Sequence, residues 1–229
     1  FVSFPSREMQ ANVITYSLRD AQLGFVLVTV EGGAFLGKSR LVAECIQAET
    51  EILGRENKKN PLTVLESFRT SLDSHTAYFS FRQITLTALQ QCVSRIGVSS
   101  LPRDDGVTEI YSPESDGTWD LDILVKSGML TETERAMIGL IVPRVRDQGY
   151  VGLLQGKSPS VLVKSTASTL LKLFSQIQPL CLVLDSDGEG TLDKSSLELL
   201  SYLIEVAPER CPKMCIFLLS RDQVSLASS

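Results

Sequence analysis

The sequence predicts an α/β domain with a mostly parallel sheet flanked by helices, and two observations carry that prediction. Three apolar runs, FVLVTV (25–30), PLCLVLD (179–185) and KMCIFLLSRD (213–222), have the continuous hydrophobic character of strands covered on both faces. Segments with apolar residues at helical spacing separate them, and parallel strands need such crossovers.

The elements follow in order. Residues 7–22 (REMQANVITYSLRDAQ) scatter their apolar positions as a modest amphipathic helix does. After the first strand, Lys38 to about Glu51 reads as a helix, with Leu41, Val42, Cys45 and Ile46 at helical spacing. NKKNP (57–61) is a loop, LTVLES after it a second, short strand, and Phe81 to Cys92 a helix. Pro, Gly, Ser and Asp collect over 97–118, the mark of an exposed loop. The wider stretch 97–160 reads as a variable loop and helical insertion within a single domain over 1–229. Inside it, TETE at 131–134 supplies a capping box from Thr131 and Glu134. Helices over 161–176 and 196–206 bracket the second long strand, and no internal repeat is visible.

Composition bounds the function. Of 229 residues, 43% are hydrophobic and 21% charged, an ordinary globular balance, and the net charge of −5 offers no basic face for nucleic acid. No apolar run approaches the ~20 residues of a membrane-spanning helix. The chain opens on Phe1 without a signal peptide and reads as an excised piece of a longer protein. Its five cysteines lack paired spacing, which argues against a disulfide framework and for a reducing, cytoplasmic setting. Cys211 and Cys215 have no second pair to complete a metal clip, and His75 is the only histidine.

The stretch VEGGAFLGKSRL (30–41) carries the chemistry. Gly32, Gly37, Lys38 and Ser39 satisfy the phosphate-loop pattern GxxxxGK[ST] between a strand and a helix. Glycine permits the positive φ angles and the close backbone approach that a phosphate cradle needs. Backbone groups of Gly33 to Ser39 and the start of the helix then favour an anion. Lys38 is expected at the β- and γ-phosphates of a nucleotide and Ser39 at Mg²⁺. A second GKS, Gly156 to Ser158, has Val151 where the upstream glycine belongs and is set aside.

A phosphate loop needs a carboxylate from another strand. PLCLVLD ends on Asp185, at the end of the strand where open α/β sheets bind ligands, so Asp185 is assigned to Mg²⁺. The carboxylate that would polarise an attacking water is missing from the next position, which is Ser186. Asp187, Glu189 and Asp193 are the nearest substitutes, and hydrolysis is expected to be slow or absent. Arg221, after the third long strand, is a candidate sensor of the γ-phosphate. The same acidic stretch, DSDGEGTLDKSS (185–196), allows a calcium-loop alternative, with Ser196 at the place of the closing glutamate. A phosphate-loop scaffold that binds no nucleotide and works through protein contacts is the other alternative. No guanine-reading Asn-Lys-x-Asp sequence is present, so adenine is favoured.

These residues resemble the signal-transduction branch of P-loop ATPases, the AAA-like modules related to origin-recognition ATPases that also occur beside adenylyl and guanylyl cyclase domains. FVSFPSREMQ is similar to the family's F-V-G-R-E-x-E entry, with Arg7 and Glu8 at its Arg-Glu pair and Ser6 at its glycine. VTVEGGAFLGKSRLVAE is similar to V-x-G-x-x-G-I-G-K-S-R-L, which places Arg40 beside the phosphate ligands. HTAYFSFRQI, PLCLVLD with SSLELLSYL, and IFLLSRD resemble later family segments in the same order, the last being a sensor strand ending in Thr-x-Arg. The resemblance implies a regulatory switch that binds ATP and Mg²⁺. It implies adjacent domains of the same chain as partners and a nucleotide contact from Arg7.

Overall fold

The computed structural model describes residues 7–33, 35–56, 61–68, 77–96, 118–142, 151–185 and 192–221. In chain order the elements are α1 (Glu8–Asp20), β1 (Val26–Glu31), α2 (Lys38–Glu56), β2 (Thr63–Phe68), α3 (Phe79–Ile96), α4 (Thr118–Lys126), α5 (Glu132–Ile141), α6 (Val151–Leu154), α7 (Pro159–Ser175), β3 (Leu180–Asp185), α8 (Lys194–Arg210) and β4 (Met214–Ser220). The three apolar runs become β1, β3 and β4, and LTVLES becomes β2. Helices α4 and α6 are elements that the sequence reading leaves unassigned.

The four strands form one parallel sheet in the order β1-β4-β3-β2. From β1 the chain crosses to the far edge at β2, then steps back through β3 to β4. That reversal, with crossovers of one hand, sends helices to opposite faces. Alternation along each strand builds two cores. Leu180, Leu182, Leu184, Met214, Ile216 and Leu218 pack toward α3, α4, α5, α7 and α8. Cys181, Val183, Cys215, Phe217 and Leu219 pack toward α1 and α2. Phe81, Phe174 and Phe217 are fully buried, each contributing roughly 1.5–3 kcal/mol from removed apolar surface.

The same two-residue period sets the direction of the acid. Asp185 continues the parity of Cys181 and Val183, so it faces α2, the helix that carries Lys38 and Ser39. Strands β3 and β4 are buried along their whole length, whereas β1 lies at the sheet edge and is only partly covered. Its hydrophobic sequence reads like that of a central strand; its edge position was not evident from composition.

Part of the stretch expected as a variable insertion belongs to the core. Leu121 and Leu124 of α4 and Ile138 and Ile141 of α5 share one cluster with Phe81 and Phe174. The expected capping box is present: Glu134 N donates to Thr131 Oγ1 at 3.2 Å, and Thr131 N donates to Glu134 Oε2 at 2.7 Å. Lys172 of α7 adds an ion pair to Glu134 at 2.8 Å. Partial burial opposes ionisation of Glu134, but the Lys172 ammonium and the Thr131 donors outweigh it and hold the carboxyl below its ordinary value.

All five cysteines are free thiols, and Cys92, Cys181, Cys211 and Cys215 are buried. Burial pushes Cys92 and Cys211 up to about 12 and Cys181 well above its ordinary value, so these thiols stay neutral and pack as small hydrophobes. Among the described residues, no helix is long and apolar enough to cross a membrane.

Candidate functional site

The site lies at the carboxyl end of β1, where the chain leaves Glu31, turns through Gly32 to Gly37 and enters α2. The Leu41 N–H donates to the Gly37 carbonyl at 2.9 Å, which makes Gly37 the residue that opens the helix. Gly37 has φ +74°, a conformation open to glycine at little strain, and no side chain with which to cap the helix. The first N–H groups of α2 therefore have neither an intrahelical acceptor nor a cap from the residue that opens the helix. The first turn holds no acid and carries Lys38 and Arg40, although the positive end of a helix dipole favours the opposite charge. An anion at this turn would reverse that disadvantage.

Lys38 is 3% exposed, and its ammonium donates to the Gly32 and Gly33 carbonyls at 2.9 and 3.1 Å. The lysine thus folds back over the loop from which a phosphate would be held. Ser39 Oγ donates to Asp185 Oδ2, joining the first turn of α2 to the end of β3 across the width of β4. Asp185 is 6% exposed. A hydroxyl and a buried carboxylate in contact are hard oxygen donors of the kind Mg²⁺ takes beside substrate phosphates. The residues present fit that ion. Among the described residues, no group of three or more His, Cys, Asp or Glu is placed to hold a metal by itself.

The other expected site residues distribute unevenly. Arg7 stands just before α1 and, with Lys38, Leu36, Val30, Met9 and Val13, lines a cavity of about 440 Å³. Its guanidinium lies against Gly37, 4.0 Å from the position a Cβ there would take. Arg40 points to the outer surface of α2 and pairs with Glu44 one turn on, at 2.7 Å. Arg221 is exposed directly beyond β4. The glycines, Lys38, Ser39, Asp185 and Arg7 gather at one end of the sheet; Arg40 is turned outward by its own helix.

Phe35 is a feature that the reading of the motif missed. It occupies the middle glycine position of the V-x-G-x-x-G-I-G-K-S pattern and adopts φ +61° with its ring 98% exposed. A bulky residue in the left-handed region is strained by about 1–3 kcal/mol. The mismatch with the pattern's glycine was the available signal.

Asp193 answers two earlier expectations. Its carboxylate caps α8, accepting from Ser196 N at 2.9 Å and Ser196 Oγ at 2.6 Å, and it also accepts from Tyr78 N at 3.1 Å. This acid is engaged at two helix starts, α8 and α3. A calcium loop over 185–196 would have to share these oxygens with the Ser196 and Tyr78 donors. Asp187 and Glu189 lie outside the described residues, as do Ser186 and His75. The second GKS is likewise a helix start: Ser158 caps α7, accepting from Val161 N at 3.4 Å, with Pro159 next.

Comparison of the chain with known protein families, with curated proteins and with solved structures gives no match.

Proposed function

We propose that this chain is a P-loop domain that binds ATP with Mg²⁺ and acts as a regulatory nucleotide switch, hydrolysing slowly or not at all. The observation that carries the reading is the start of α2. A buried lysine follows a glycine turn at a helix terminus without an acid, and its neighbour Ser39 is hydrogen-bonded to a buried acid from a strand two places away. Each part has a use once a polyphosphate is present.

In this reading the ammonium of Lys38 neutralises phosphate charge, and the first N–H groups of α2 donate hydrogen bonds to the phosphate oxygens. Ser39 and Asp185 hold Mg²⁺, which when bound supplies charge neutralisation at the phosphates. Arg7 contributes a cation at the cavity wall, and Arg221 stands at the end of the neighbouring strand as the γ-phosphate sensor. Slow turnover follows from Ser186 at the second acid position and from the engagement of Asp193 in capping. As a switch, the bound nucleotide biases the docking of adjacent domains by its differential affinity for two arrangements.

Calorimetric titration with ATP, in Mg²⁺ and in excess chelator, tests the reading. Saturable binding that strengthens with Mg²⁺ and is lost in Lys38→Ala is expected. Binding of equal strength in the folded Lys38→Ala protein would sink it. Turnover at ~10 s⁻¹, an ordinary enzymatic rate, would overturn the slow-hydrolysis part alone.

A further inference from the structure

A polyphosphate has no apolar surface, yet most of the cavity that Lys38 lines is apolar. Met9 and Val13 of α1 form one wall, Val28 and Val30 of β1 another, and Leu36 reaches it from the glycine turn. Ile14 and Leu41 line it too, both buried in the core on the α2 side of the sheet. At about 440 Å³ it falls within the ~300–1,000 Å³ of cavities that enclose small organic ligands. Such cavities are lined as this one is, by apolar side chains with a few polar groups among them. Met9, Val13 and Leu36 are 74%, 54% and 51% exposed, and large apolar side chains exposed on a concave wall gain free energy when an apolar ligand covers them.

The groups beside these walls select the occupant. Arg7 and Lys38 line the same cavity, and the Arg7 guanidinium lies against Gly37 where α2 opens. A matching ligand carries an anionic end toward α2 and a flat, largely apolar body toward α1 and β1. A nucleotide has both ends. Gln10 of α1 also lines the cavity, and its amide both donates and accepts hydrogen bonds, as the edge of a base does. Glu31, the acid among the lining residues, only accepts hydrogen bonds when ionised, which suits the hydroxyls of a ribose and not its phosphates.

Taking the phosphate site as proposed above, we infer that the cavity between α1 and β1 is the nucleoside seat of the domain. Met9 and Val13 pack on the base, and Gln10 meets its edge. The nucleoside then adds affinity beyond that of the phosphates, and it does so through α1, which becomes part of the nucleotide site.

Calorimetric titration with ATP and with inorganic tripolyphosphate, both in Mg²⁺, tests the inference. Tripolyphosphate carries the greater negative charge, so a preference for ATP reports the nucleoside. The wild-type chain is expected to bind ATP tighter by about tenfold or more. Val13→Trp fills the seat and should abolish that preference while leaving the affinity for tripolyphosphate as in wild type. Met9→Ala shortens one wall and keeps a good helix former at an exposed position, so it should weaken ATP alone, by about tenfold. Equal wild-type affinity for the two ligands overturns the inference and leaves the phosphate site standing. Failure of both to bind overturns the two together. A preference for ATP that both variants keep at wild-type strength, with circular dichroism showing them folded, places the base elsewhere and overturns the inference alone.

Discussion

Two helix starts in this molecule are built on opposite plans. At α5 the chain satisfies itself: Thr131 and Glu134 exchange hydrogen bonds, Glu132 adds a second acid to the first turn, and Lys172 pairs with Glu134 from α7. At α2 a glycine opens the helix, the first turn has Lys38 and Arg40 and no acid, and the chain bends a buried lysine back onto two carbonyls. The α5 start gains stability from its own side chains. The α2 start has no side-chain cap from Gly37, and in the proposed reading an external anion serves there instead. In that reading a glycine-opened terminus with cations where acids belong serves a ligand, and the complete capping box serves the fold alone.

Substitutions at each start test the contrast. Lys38→Ala should have the largest effect, weakening ATP binding about 100-fold, the worth of one charge-assisted contact to phosphate. Titration calorimetry reads it, and an unchanged affinity would place the ligand elsewhere. Ser39→Ala should act next, reducing the gain in affinity that Mg²⁺ confers about tenfold while leaving binding in chelator nearly unaltered. Thr131→Ala should do the reverse, costing about 1 kcal/mol of stability and lowering Tm by roughly 2–4 °C without touching nucleotide affinity. Phe35→Gly should raise stability by about 1 kcal/mol through relief of the left-handed strain, unless the added chain freedom of glycine offsets it. A loss of stability there would mean that the chain freedom added by glycine outweighs the strain.

The smallest effect is a pH dependence. The carboxyl of Glu134 is depressed in the folded chain, so the capping box contributes fully above the ordinary glutamate value of 4.5 and is lost as pH falls through the lower folded value. Thermal melts from neutral pH down to pH ~3 should show wild type converging on Glu134→Gln only at the acid end. A constant difference across that range would show that the ion pair with Lys172 is inert. Because both side chains of this pair are partly exposed to solvent, the effect is expected to stay below ~1 kcal/mol.

Much of the fold was legible because hydrophobic period is a local property. The four strands and the longer helices follow from runs and spacings that any window of the chain displays. The capping box was legible for the same reason, since its partners are three residues apart. What escaped was either non-local or a matter of backbone conformation. Helix α4, TWDLDILVK, sits after a polar stretch and holds its place by burying Leu121 and Leu124 against α3, contacts between residues far apart in sequence. The role of Asp193 as a clamp on both α8 and α3 has one local half, an acid three residues before Ser196. Its bond to Tyr78 has no local signal. The strain at Phe35 is a dihedral angle, visible beforehand only as a non-glycine residue at a glycine position.

The candidate site divides in the same way. Neighbours in the chain are enough to establish that a glycine turn, a lysine and a serine open a helix after a hydrophobic strand. They are enough, too, to end a second such strand on Asp185. The meeting of Ser39 with Asp185 needed the folded sheet, because it depends on the strand order β1-β4-β3-β2 and on the parity that turns Asp185 toward α2. So did the departure of Arg40 from the loop toward Glu44, since the direction of a side chain on a helix is fixed by the face that the helix buries. Local sequence sets which groups stand at each element's end; packing of the sheet and its two helical layers sets which of them can touch.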